Sequence, residues 1–165
     1  MKILTIDPGR NCGLAYYDTD NPPQKSYQVC LGRSSASWIS RLDKFSTALE
    51  STADGGVDIL AVEMIQAPQG KRGGTPLHPE VIKLHRYVGV AALFAARTGA
   101  AMVEIAQNTW KKSLGKGNMS AEEARKAARI VWRLDHEPGP DEAAALGMLW
   151  CILNRYNVKD MGVKE

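Results

Sequence analysis

Apolar and polar residues alternate along Lys2–Asp7, which predicts a strand, and Pro8-Gly9 stops it. Cys12–Asp18 (CGLAYYD) is a second β-prone run, Asn21-Pro22-Pro23 turns the chain, and Ser26–Leu31 reads as a third strand. Short strands joined by tight turns predict an antiparallel meander. The period then changes. Trp38, Ile39, Leu42, Phe45 and Leu49 recur at helical spacing, so Ser37–Ser51 reads as an amphipathic helix. Val57–Val62 is a nearly continuous apolar run of strand length, the pattern of a strand buried on both faces, and Glu63 stands at its end. Ala67–Pro79 mixes glycine and proline with basic residues and reads as a loop. A long helix over Pro79–Thr98, with Gly99 as its C-cap, leads into a buried strand at Ala101–Ile105. A short helical turn at Thr109–Leu114 and a loop at Gly115–Asn118 precede two closing helices, Ser120–Leu134 and Asp141–Tyr156. Ser120 and Glu123 have the spacing of a capping box.

The order βββαβαβ followed by helices predicts an α/β fold, with three antiparallel strands and two parallel ones in a mixed five-stranded sheet flanked by helices. It is also the element order of the ribonuclease H-like fold. A chain of 165 residues fits a single domain over 1–165. Its 44% apolar and 24% charged residues exclude a disordered or collagen-like chain. Its longest apolar runs, Val88–Ala96 and Ala143–Leu153, fall short of the roughly 20 residues that span a bilayer. Cys12, Cys30 and Cys151 form no C-x-x-C pair and read as free thiols, which places the protein in the reducing cytoplasm and implies no zinc site.

Charge is uneven along the chain. The net charge of +3 conceals a segment Lys71–Arg97 with five basic residues against Glu80, and a segment Gln107–Arg133 with seven against Glu122 and Glu123. Such asymmetry suits a polyanion held by the middle of the chain, although solvated helix faces explain charge alone equally well.

The carboxylates decide between these. Asp7 ends the first strand and Glu63 ends the fourth; if those strands are parallel, both side chains emerge at the C-terminal edge, where open α/β sheets bind ligands. Asp141 opens the last helix. Each has an ordinary explanation: an Asp starting a Pro-Gly turn, a polar residue at a strand end, a helix N-cap. Together at one edge they would repel one another unless a cation were present, and Mg²⁺ suits an all-oxygen site. Two such ions roughly 3.5–4 Å apart would activate a water and stabilise the leaving oxygen of a phosphodiester.

The chain resembles the RuvC-type Holliday-junction resolvases (crossover junction endodeoxyribonucleases) of the ribonuclease H-like superfamily, over nearly its whole length. ILTIDPGRNCGLAYYD is similar to that family's first strand with its metal-binding Asp, here Asp7. ILAVE is similar to the fourth strand with its catalytic Glu, here Glu63. LHRYVGVAALFAARTGAAMVEI is similar to the helix at the family's homodimer interface and the strand after it. NTWKKSLGKGNMSAEEARKAARIVW resembles the DNA-contacting basic segment, and PDEAAALGMLW the start of the last helix. The resemblance implies a metal-dependent, structure-selective endonuclease of DNA recombination and repair. It would resolve four-way junctions by paired symmetric nicks, as a nucleoid-associated homodimer. Its ligands would be Asp7, Glu63 and Asp141, with two Mg²⁺ ions per site and Mn²⁺ as a substitute. Lys71, Arg72, Lys111, Lys112 and Lys116 would contact DNA, with Lys111 or Lys112 near the scissile phosphate.

One departure stands out. Where the family carries a second Asp one turn after the first on its last helix, this chain has Ala144. Three explanations are open: an inactivated variant, favoured because Asp-Glu-Ala-Asp-Ala-Leu would match the family closely; a homologue that works with Asp7, Glu63 and Asp141; or His136 paired with Asp141, across an unfavourable Gly-Pro break. Rival functions are a non-cleaving junction-binding module, a related nuclease for another branched substrate or RNA–DNA hybrids, and an actin-like ATPase or sugar kinase opened by Asp-x-Gly. That last class needs two such domains, where this length supplies one.

Overall fold

β1 (Lys2–Asp7) pairs antiparallel with β2 (Asn11–Asp18), and β2 pairs antiparallel with β3 (Lys25–Cys30), as the alternating pattern predicts. These strands come from a computed structural model that describes residues 1–21, 24–33, 35–54, 56–65 and 79–155. The Asn21–Pro23 turn lies partly, the Ala67–Pro79 loop almost wholly, and Lys71, Arg72 and Tyr156 entirely outside the described residues. Helix α1 (Trp38–Thr52) leads to β4 (Ile59–Glu63), and α2 (Pro79–Thr98) to β5 (Ala101–Ile105). Both β4 and β5 run parallel to β1, giving the sheet order β3-β2-β1-β4-β5. Helices α3 (Gln107–Leu114), α4 (Ala121–Trp132) and α5 (Pro140–Arg155) follow. The expected mixed α/β sheet is therefore present.

Element boundaries moved where local chemistry outweighed the apolar pattern. Helix α4 starts on the expected capping box: Glu123 N donates to Ser120 Oγ at 3.2 Å and Ser120 N to Glu123 Oε2 at 2.7 Å. It stops at Trp132 because Arg133 takes the left-handed conformation at φ 52°, two residues before the apolar spacing runs out at Leu134. Helix α3 starts at Gln107, earlier than expected, because its cap is Ala106, whose side chain makes no capping bond that the sequence could advertise.

Each strand divides its side chains between two core layers, the period of two that a pleated sheet imposes. Ile3, Ala15, Ile59 and Ala61 pack with Trp110 of α3 and with Ala145, Leu146 and Leu149 of α5. Leu4, Ile6, Leu14, Leu60 and Val62 pack on the other face with Phe45 and Leu49 of α1 and Tyr87 and Phe94 of α2. Thr5 is polar yet fully buried, and its hydroxyl donates to Ala145 O of α5 at 2.7 Å. That bond pins the middle of α5 to β1. A buried hydroxyl is otherwise expensive.

Helix α5 also comes unusually close to β2. A Cβ built on Gly13 would lie 1.8 Å from the carbonyl oxygen of Asp141. Gly13 is the β2 partner of Asp7 in the antiparallel register, so the same contact sets the first turn of α5 beside the end of β1. Gly13→Ala is expected to destabilise the fold by about 3 kcal/mol, because main chain, not a flexible side chain, must move. Gly89→Ala on exposed α2, with nothing within 4 Å of its Cβ, should instead gain up to about 1 kcal/mol. Urea unfolding of the two variants side by side checks the contrast.

Candidate active site

The parallel register of β1 and β4 pairs Ile6 with Val62 and so sets the next residues, Asp7 and Glu63, side by side at the C-terminal edge. By the pleat, both follow Thr5 and Ala61 onto the α5 face of the sheet. Burial holds the Asp7 pKa well above the ordinary carboxylate range, and the charge of Glu63, its hydrogen bond and the charge of Asp141 push the same way. Burial and then Glu63 also raise Asp141, outweighing a backbone hydrogen bond that lowers it. The three carboxylates thus feel one another, as the strand arrangement implied. Among the described residues, however, no three His, Cys, Asp or Glu side chains are gathered closely enough to hold a metal ion between them. Asp7 and Glu63 stand at adjacent strand ends, and Asp141 comes from the first turn of α5.

Asp141 is not the cap of its helix. Ala143 N donates to Gly139 O at 2.8 Å, so Pro140 opens α5 and Asp141 lies inside its first turn. The neighbouring Glu142 does the anchoring. It is buried and accepts from Ser26 Oγ at 2.8 Å and from Gly139 N at 3.3 Å. His136 Nε2 lies 3.2 Å from the same carboxylate and its Nδ1 lies 3.1 Å from Asp135. These bonds, with Asp135 first, raise the His136 pKa and commit its ring nitrogens away from Asp141. Ala144, one turn on, is buried in the apolar layer beneath α5.

Trp110 is a partner of the site that the sequence pattern did not single out. It is buried, and its indole Nε1 donates to Glu63 Oε1 at 3.3 Å. Its ring sits flat against α5, where a Cβ on Gly147 would come within 2.5 Å of it. An indole in an apolar seat needs an acceptor for its N–H, and Glu63 is that acceptor. Lys111 Nζ lies 5.6 Å from the Trp110 ring centroid, which brings Lys111 to the side of the site; Lys112 is exposed. Lys116 is engaged elsewhere, 2.7 Å from Glu123 at the start of α4. A cleft of about 240 Å³ opens over the pair, bounded by Val81 and Leu84 of α2 and Gln107 of α3.

The donor set fits a hard divalent cation. Mg²⁺ is commonly held by one or two carboxylates, its remaining positions filled by water and substrate phosphate. A positive charge there would remove the repulsion that now raises Asp7. The sheet order β3-β2-β1-β4-β5 places the Asp7 and Glu63 carboxylates at its parallel edge. Two solved structures are similar over nearly their whole length. Thermus thermophilus RuvC is 20% identical, with 99% of this chain and 98% of that one covered and a TM-score of 0.70. T. thermophilus RuvC in complex with a Holliday junction substrate is 17% identical, with 99% and 97% covered and a TM-score of 0.74. The fold is therefore that of RuvC. No family model matches the chain, and no curated protein matches it in sequence. No helix among the described residues is long and apolar enough to cross a membrane.

Because the folded pKa of Asp7 is raised, the native state binds more protons than the unfolded chain between the two values, so stability falls as pH rises through that window. Asp7→Asn removes the cost. It should raise the melting temperature at pH 7 without divalent metal by about 2–4 °C, the shift that about 1 kcal/mol produces in a chain of this size. The gain should shrink as pH falls and vanish at about pH 3, below the ordinary Asp value, where the carboxyl is protonated in both states. Thermal melts at both pH values test it.

Proposed function

We propose that this chain is a divalent-metal-dependent, structure-selective endonuclease acting on four-way DNA junctions as a homodimer. The observation that carries the reading is the placing of Asp7 and Glu63 side by side at the parallel-strand edge, with Asp141 in electrostatic reach, within the RuvC fold. Asp7 and Glu63 would hold Mg²⁺, or Mn²⁺ in its place, and Asp141 would join them. Bound there, the ions supply an activated water and neutralise the leaving oxygen. Trp110 orients the Glu63 carboxylate, and Lys111 contributes positive charge beside the phosphate. Lys112 extends the cationic flank; Lys116, paired with Glu123, and Lys71 and Arg72 are assigned to DNA by resemblance alone.

The exposed face of α2 supports the homodimer. Ile82 and Leu93 are 46% and 60% exposed there, and Gly89 and Ala92 leave room for another helix to approach. Two sites related by a two-fold axis would nick opposing strands of a junction symmetrically. Recombination and repair, in the cytoplasm at the nucleoid, are the setting that follows.

Ala144 favours a second reading, a module that binds junctions without cutting. It is only 4% exposed and contributes no oxygen where the family has an Asp. Labelled four-way junction, incubated with the native chain and with Ala144→Asp in Mg²⁺ or chelator, decides. Paired nicks by Ala144→Asp in Mg²⁺ alone are expected, at least about 100-fold faster than the native chain, since even indirect support of a metal is worth 10–100-fold. Binding by both without cutting by either establishes the module. Absence of junction binding by both ends the nucleic-acid reading.

A further inference from the structure

Glu142 is the least exposed acidic side chain among the described residues, at 5%, and it stands next to Asp141 on α5. A carboxylate in such a place is costly unless its oxygens are bonded. Both are. Oε1 accepts from Ser26 Oγ at 2.8 Å and lies 3.2 Å from His136 Nε2, and Oε2 accepts from Gly139 N at 3.3 Å. His136 Nδ1 lies in turn 3.1 Å from Asp135. The partners of this one side chain therefore come from β3, from the connection between α4 and α5, and from the start of α5 itself.

These bonds do two separate jobs. Ala143 N donates to Gly139 O, so Gly139 caps α5 and has no side chain to do it with. Glu142, three residues on, reaches back to the Gly139 N–H as the acidic residue of a capping box does. The Ser26 bond adds nothing to the cap. It ties the same turn sideways to β3, while the Asp141 main chain rests over Gly13 of β2. Thr5 already pins the middle of α5 to β1 through Ala145 O. One pin lets a helix pivot and roll, and a second pin on its other side stops both.

Roll matters because successive helical residues point about 100° apart. On a helix whose side chains reach about 5–6 Å from the axis, a roll of about 10° carries a side-chain tip by about 1 Å. We infer that Glu142, held by Ser26 and His136, is a positioning residue that sets the roll of α5 and thereby the place of the Asp141 carboxylate relative to Asp7 and Glu63. The inference rests on the reading of those three carboxylates as a divalent-cation site.

The test is binding of Mn²⁺ alone to the full chain, followed by loss of the free-ion electron paramagnetic resonance signal, without DNA or turnover. Glu142→Ala and Ser26→Ala should each lose about 10–100-fold in affinity, the range for residues that orient a metal ligand from behind. Ser26→Thr keeps the hydroxyl and should bind as the native chain does. Ser37→Ala removes the N-cap of α1 on the opposite face of the sheet, where Ser37 Oγ accepts from Ser40 N at 3.2 Å. It should lower the melting temperature and leave Mn²⁺ affinity unchanged. Native affinity in Ser26→Ala overturns the inference, and this variant decides alone if Glu142→Ala does not fold. An equal loss in Ser37→Ala also overturns it, because general loosening would then explain the effect. Absence of Mn²⁺ binding by the native chain instead removes the cation site itself, and the positioning role with it.

Discussion

Two carboxyl groups held against each other at a buried strand end are the constraint around which this molecule is organised. Parallel pairing of β1 with β4 sets Asp7 and Glu63 at neighbouring strand ends. Burial, then the charge of Glu63, holds the Asp7 carboxyl well above the ordinary carboxylate range. An apolar pair at these positions would fold more easily. Retaining a site that costs stability is characteristic of function.

The surrounding structure holds that pair in one geometry from both directions. Below the sheet edge, α5 can reach the pair only because β2 carries Gly13 opposite Asp7; any side chain there would strike the Asp141 main chain. Beside it, α3 can present the Trp110 indole to Glu63 only because α5 carries Gly147 under the ring. Thr5 and Glu142 then fix α5 along its length, one to β1 and one to β3 through Ser26. The glycines are small for a reason of position, since each replaces a clash between elements that must meet.

Most of the architecture was legible in the sequence because it rests on periodicity. Alternation marked β1, a β-prone run marked β2, a continuous apolar run marked β4, and helical spacing marked α1 to within a residue. The parallel edge followed from element order, and with it the meeting of Asp7 and Glu63. What escaped depends on contacts between elements distant in sequence. Asp141 looked like a cap because it begins the acidic, apolar run; Pro140 at the first helical position takes the start instead. Trp110 gave no sign of its part because its ring is core, while the bond that matters is made by its one polar atom. Gly13 carried a readable signal, a glycine inside a strand pattern, which marks close approach of another backbone. The signal says nothing of which backbone arrives.

Position 144 joins the stability of the site to its chemistry. Ala144 lies in the apolar layer under α5, one turn from Asp141 and on the side where the carboxylates already repel. Its methyl group adds no charge to that cluster, so the native chain avoids a further desolvated carboxylate. An Asp there would strain the metal-free fold and, by the same electrostatics, strengthen the attraction for a divalent cation. The α3 lysines do not share this trade, since Lys112 lies in solvent, where charge costs little. On the proposed reading, binding and cleavage would therefore separate, because one would depend on exposed charge and the other on buried charge.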